Sequence, residues 1–205
     1  MQPAELTYDG LDEETARAEV YGLLAALYYA APSQALYDNL KVAVTQAPAA
    51  GALLEASWTD LVAASREQSL ASIAIEYDAL FGGVSKPEVY LFGSHYLSGF
   101  LNEKPLAALR TDIAVLGLAR DEAMPETEDH VAYLCEVMRY LIAGDDIAVA
   151  NLTRQREFFS RHVQTWVPQM CEAIGAHPKA LFYRALAGFT QTFVNVEAQG
   201  FDMLV

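Results

Sequence analysis

Glu126-Thr127-Glu128-Asp129-His130 is the one run in this chain where side chains able to move protons or hold charge stand shoulder to shoulder. An acid beside a histidine can exchange a proton near neutrality, and clustered carboxylates attract and pair cations. Asp121, Glu122, Glu126, Glu128 and Asp129 put five acids within nine residues, offset locally only by Arg120. Two chemistries fit this pattern. One is an anionic patch that receives a cationic partner. The other is a small helical hydrolase using Asp129 and His130 as an acid/base pair, although no nucleophile stands at a recognisable spacing. A structural reading fits as well: Thr127 as an N-cap, with acids in the first helical turn facing the positive end of the dipole.

Aromatic residues form the second surplus. Tyr28 and Tyr29 close one apolar segment, Tyr77, Leu80 and Phe81 close another, and Tyr90, Phe92 and Tyr96 lie beyond it. Stripes at helical spacing pack cores, but aromatic residues at helix ends beside a Gly/Pro loop also line grooves for apolar peptides. His95, His162 and His177 have no partner at ligand spacing and read as hydrogen-bonded structural groups. Cys135 and Cys171 match no metal pattern and read as reduced core thiols. Arg154, Arg156 and Arg161 read as a solvated face paired with acidic surface. Walker A, G-x-G-x-x-G, H-E-x-x-H, E-x-x-H and G-x-S-x-G sequences are all absent, so neither a metal nor a cofactor is expected.

The elements that position these groups read as helices. Val20, Leu23, Leu24, Leu27 and Tyr28 make one stripe, ended by Pro32. Ser33 is placed to cap a second helix carrying Leu36, Leu40 and Val44, which stops before Pro48. A third helical region covers about 52 to 81, with a break near Ser65. Gly82 to Gly93 lacks a helical period and reads as a long ordered loop. Pro105 opens a helix with Leu106, Leu109, Ile113 and Leu116 inward and Gly117 just past its end. After the acidic loop 119–127, a helix from about Glu128 to Ala143 carries Val131, Leu134, Met138 and Leu141. Asp145 or Asp146 is placed to cap the next, which reaches about Trp166, and Pro168 opens a short one. The last helix starts near Pro178, carries Leu181, Phe182, Leu186, Phe189 and Phe193, and stops before Gly200. The expected fold is all-α, one domain over residues 1–205, a bundle of about eight to ten helices.

Composition narrows the function. The 205 residues are 53% hydrophobic, enough for a sizeable core without metals or disulfides. Twenty-seven acids against 13 bases give a net charge of −14, which argues against nucleic acid and against anionic membranes. The acidic N-terminus does not read as an export signal, and Val20 to Ala31 is too short to cross a bilayer. A cytoplasmic protein is expected.

Four motifs then point to a family. Leu27-Tyr28-Tyr29-Ala30, Tyr77-x-x-Leu80-Phe81-x-Gly83 with Pro87, Glu126-x-Glu128-Asp129-His130, and His162 and Trp166 followed by Phe182-Tyr183-Arg184-Ala185-Leu186 keep their order over residues 16 to 195. Together they resemble the TorD/DmsD family of cytoplasmic chaperones that mature molybdenum-containing oxidoreductases. The resemblance implies a non-enzymatic, all-helical protein with no cofactor of its own. It implies binding of the twin-arginine signal peptide of a molybdopterin oxidoreductase, or of the apo catalytic subunit itself, so that cofactor is inserted before export. By that resemblance Glu126, Glu128, Asp129 and His130 lie in a hinge-like leader-binding segment, and Tyr28, Tyr77, Leu80 and Phe81 line the leader pocket. Thr127 stands where the family carries proline. The alternative within the same class is an assembly chaperone for a nitrate-reductase-like subunit that is not exported. A monomer, or a dimer swapped through the loop 119–127, fits the pattern.

Overall fold

The computed structural model describes residues 9–45, 52–82, 86–121 and 124–203. Pro48, Gly83 and Glu122, named above, lie outside the described residues. Among the described residues the chain is all-α, with α1 (Asp9–Tyr29), α2 (Gln34–Val42), α3 (Glu55–Glu67), α4 (Leu70–Leu80), α5 (Gly93–Ser98), α6 (Lys104–Val115), α7 (Val131–Ala143), α8 (Leu152–Phe158), α9 (Val167–Ala176) and α10 (Phe182–Asp202). A π-helical turn, Phe159–Val163, continues α8. The two 21-residue helices frame the molecule. Helix α1 packs along α7, and α10 packs on α9 and α3.

The core follows the apolar stripes. On α1 it runs through Ala18, Tyr21, Leu24, Ala25, Leu27 and Tyr28, leaving Val20 and Leu23 half-buried at its edge. Its partner α7 contributes Val131, Leu134, Met138 and Leu141, as its spacing predicts. Tyr21 meets Phe193 of α10 edge-on at 4.9 Å. The two long helices are also tied by charge. Glu197 Oε1 and Oε2 accept hydrogen bonds from the Arg17 guanidinium at 2.6 and 2.9 Å, and the Tyr21 hydroxyl adds a third at 3.0 Å. A buried carboxylate is stable only when saturated in this way.

Ends follow capping chemistry where it is local. Ser33 Oγ accepts from Leu36 N, Pro105 opens α6, and Gly117 adopts φ +72°, a left-handed conformation that other side chains rarely adopt. Elsewhere the boundaries move. Val44 lies exposed beyond α2, and Tyr37 is buried in its place. The break in the third region falls at Gln68 and Ser69, where Ser69 caps α4, while Ser65 sits inside α3 and donates to the Val62 carbonyl. Helix α7 begins at Val131 with His130 as its cap, three residues later than Thr127 would place it. Asp146 caps only a turn through Ala148, and Asn151 caps α8. The helix toward Trp166 is interrupted by the π turn. Leu181 is 59% exposed just before α10, and that helix runs through Gly200 to Asp202. Short α5 lies within no apolar period; a distant residue holds it.

Candidate functional site

That residue is Asp129. The segment 90–94 runs antiparallel to 129–131, joined by the Gly93 amide to the Asp129 carbonyl and the Val131 amide to the Leu91 carbonyl, both at 2.9 Å. Asp129 Oδ2 then accepts the Ser94 amide at 2.9 Å and the Ser94 hydroxyl, so it caps α5 from 35 residues away. Its other oxygen accepts the Thr127 hydroxyl at 2.6 Å. A proline at 127 has no hydroxyl, so this chain exchanges ring stiffness for a side-chain hydrogen bond. Gly93 is required for a separate reason: a Cβ there would stand 2.9 Å from the Trp166 indole nitrogen. That nitrogen donates to the His162 carbonyl at the π turn.

The rest of the segment is equally engaged. His130 Nδ1 accepts the Ala132 amide at 3.2 Å and its ring meets Phe92 edge-on at 4.9 Å. Accepting at Nδ1 requires the neutral ring there, and burial pushes the pKa down to about 4 despite the nearby Asp129 charge. Burial raises the Glu128 carboxyl, but two hydrogen bonds from Arg110, at 3.0 and 2.8 Å, and Arg120 nearby outweigh it and hold the group below the usual carboxylate range. Arg120 also donates to the Met124 and Glu126 carbonyls. Glu128, Asp129 and His130 are therefore all buried. The expected exposed anionic patch reduces, within these five residues, to Glu126, whose half-buried carboxylate has no ion pair or hydrogen bond among the described residues.

The aromatic group divides in the same way. Tyr28 and Leu80 have no exposed surface. The Thr190 hydroxyl gives its proton to the Leu186 carbonyl, so Tyr28 donates to Thr190 Oγ1, at 2.9 Å. Both residues support the surface from beneath in this conformation. Tyr77 and Phe81 are half-buried with their rings 5.2 Å apart, and Tyr183 packs under both. The Tyr77 hydroxyl donates to the Tyr29 carbonyl at 2.7 Å and contacts that of Tyr28 at 3.2 Å. Burial pushes its pKa up to about 12, with the charges of Glu126 and Asp78 and the neighbouring Tyr29 adding to the shift. The fold thus brings Glu126 within electrostatic reach of Tyr77, 49 positions earlier in the sequence.

Several contributors escaped the sequence reading. Glu76 accepts the amides of Leu181, Tyr183 and Phe182 at 2.8, 2.8 and 3.1 Å, capping α10 from α4. Asp78 and Tyr29 stand exposed beside Tyr77. Only the position of Asp78 next to Tyr77 hinted at it. Two of the remaining histidines are hydrogen-bonded as expected, His162 Nε2 to Asp112 at 2.7 Å and His177 Nδ1 from the Lys179 amide, whereas the His95 ring stacks on Tyr90 at 4.1 Å. Arg154 pairs with Glu157 and Arg161 with Asp112. Cys135 and Cys171 are buried free thiols whose pKa values burial raises. No group of three metal-ligating side chains occurs among the described residues, and no described helix is long and apolar enough to cross a membrane.

The all-α scaffold thus ties its reactive-looking pair into helix caps and leaves Tyr77, Phe81 and Glu126 partly accessible. Comparison with known proteins supplies the class. The family model for the nitrate reductase delta subunit matches residues 47–172. A Vibrio cholerae protein named chaperone protein TorD is 24% identical over 205 aligned residues, covering 92% of this chain and 93% of its own. A Shewanella loihica protein of the same name is 26% identical over 208, covering 90% and 92%. The chain belongs to this family, the TorD/DmsD maturation chaperones, and is a chaperone and not an enzyme.

Proposed function

We propose that the protein binds the twin-arginine signal peptide, and with it the apo catalytic subunit, of a molybdopterin oxidoreductase in the cytoplasm. Binding holds the client until its cofactor is inserted and prevents premature export. One observation carries the reading: Tyr77 and Phe81 keep half-exposed rings 5.2 Å apart, within electrostatic reach of Glu126 from a motif 49 positions further on. A twin-arginine leader has a cationic stretch followed by an apolar one. Carboxylates pair with the first, and an aromatic-edged surface accepts the second. The surface is the half-exposed Tyr77–Phe81 face with Glu126 beside it. Tyr28, Leu80, Glu128, Asp129 and His130 shape that surface from within.

The nitrate reductase delta subunit description favours a second client, a nitrate-reductase-like subunit that is not exported. Titration calorimetry with a synthetic leader separates the two. Micromolar binding of the leader alone, weakening markedly from low salt to about 0.15 M, where the screening length is about 8 Å, supports the exported client. Binding of the whole apo subunit without any leader binding supports the other.

A further inference from the structure

We infer that the furrow between the C-terminal end of α6 and the outer face of α8 with its π turn is a second docking surface, and that it takes an acidic, partly apolar peptide segment of a protein partner. This goes beyond the leader reading and does not rest on it, since a cationic leader is repelled by arginines.

Arg154, Arg156 and Arg161 place three of the chain's 13 bases within eight residues, in a protein of net charge −14. The sequence predicts that they pair with acidic surface. Two do: Arg154 meets Glu157 at 3.3 Å and Arg161 meets Asp112 at 3.0 Å. Arg156 does not. Its exposed guanidinium has no ion pair or hydrogen bond among the described residues, where every other arginine reaches a carboxylate or a backbone carbonyl. With 27 acids to 13 bases, a leftover guanidinium is one the fold has not used on itself.

Arg156 lines an open groove of about 470 Å³ with Leu152, Glu157 and Arg161. Glu157 and Arg161 also line a smaller pit of about 50 Å³ that reaches Asp112 and Val115 of α6, so the two form one furrow. Val115, 65% exposed, and Leu152, 40% exposed, add apolar surface to it. The carboxylates within it are already engaged: Glu157 by Arg154, and Asp112 Oδ2 by Arg161 and by His162 Nε2 at 2.7 Å. One nitrogen of Arg161 meets Asp112, which leaves the rest of its fork, and all of that of Arg156, for acceptors from outside the chain. The π turn fixes the arrangement. It brings Arg161 and His162, which a regular α-helix would point about 100° apart, onto one oxygen of Asp112. Such turns are rare and recur at functional sites.

Forked guanidinium donors match carboxylates. The apolar residues suit a segment with side chains of its own better than a bare ion. Screening limits electrostatic reach to about 8 Å at 0.15 M, so a short acidic segment senses the two arginines more than the net charge of the whole chain. A longer polyanion such as RNA meets the acidic remainder.

The test titrates the full chain at low salt with the capped peptide acetyl-Leu-Glu-Asp-Leu-Glu-Asp-Leu-amide, its Gln/Asn counterpart and inorganic phosphate, followed by calorimetry and amide resonances. The acidic peptide should shift amides across 112–116 and 152–163 and bind about tenfold or more tighter than the neutral one. Arg156→Glu should lower its affinity by about tenfold or more with the melting temperature unchanged. Lys104→Glu makes the same charge change about 16 Å along α6 from Val115 and should alter affinity by less than about twofold. Glu157→Gln, which removes a competing carboxylate, should tighten binding. Binding weaker than about 1 mM overturns the proposal, as does equal affinity of the Arg156→Glu variant or an equal loss in Lys104→Glu. Phosphate binding as tightly as the peptide overturns it in favour of a small anion. A twin-arginine leader that shifts amides across 152–163 makes the furrow part of the leader surface and overturns it too; a leader that binds nowhere removes the leader reading and leaves this one standing.

Discussion

Around Asp129, each carboxylate oxygen meets a donor supplied by the chain; around Asp78 and Glu126, no described donor does. The two regions use the same side chains and are both acidic in sequence, yet one is a joint and the other a surface. In the joint, Asp129 holds α5, Thr127 holds Asp129, and His130 starts α7. On the surface, Tyr77 is pinned by carbonyls of α1, and neither Asp78 nor Glu126 meets a donor among the described residues. A carboxylate's role is set by the donors the fold brings to it. Buried, it must be saturated; at an edge, it can wait for a ligand.

The sharpest way to break this division is through stability against binding. Leu80→Ala, beneath the surface, should cost about 2–5 kcal/mol by opening a cavity. Leader affinity per folded molecule should remain near wild type, as chemical denaturation and calorimetry on one preparation would reveal. Asp129→Ala should cost about 3 kcal/mol, because it strands the buried Ser94 amide and releases α5. Amide exchange should then quicken across 93–98. A pure binding role for Asp129 would leave that exchange unchanged.

Acid offers a finer probe of the joint. The folded pKa of His130, about 4, lies below its ordinary value of 6.5. A lowered histidine pKa means that the unfolded chain binds the proton first, so the stability it contributes is present above pH 6.5 and drains as pH falls toward 4. Lowering the pH from about 7 to about 5 should cost about 2 kcal/mol from this residue. His130→Asn, which can still cap, should remove that part of the slope; an unchanged slope would place His130 outside the joint. Tyr28→Phe should cost about 1 kcal/mol through the lost bond to Thr190. The smallest stability change belongs to the surface: Asp78→Asn and Glu126→Gln should each stay within about 0.5 kcal/mol. A larger loss would make them part of the joint as well.

Helices, their inward stripes and several ends were legible in the chain, because periodicity and capping act over a few residues. Leu134, Met138 and Leu141 face inward on α7, Ser33 caps α2 and Gly117 follows α6, each for a local reason. The family resemblance was legible too, since its motifs are linear. What the acids of those motifs do was not. Asp129 looks like an exposed first-turn acid until Ser94 arrives from 35 residues away, and Glu76 looks like a solvated residue of α4 until α10 lays three amides on it. Nor does spacing distinguish Tyr28, sealed against Thr190, from its neighbour Tyr29, open to solvent. Short-range order is written in neighbouring side chains. Burial and saturation depend on what long-range packing places opposite each group, so the tertiary structure alone assigned Asp129 to the joint and left Asp78, Glu126 and Tyr29 at the surface.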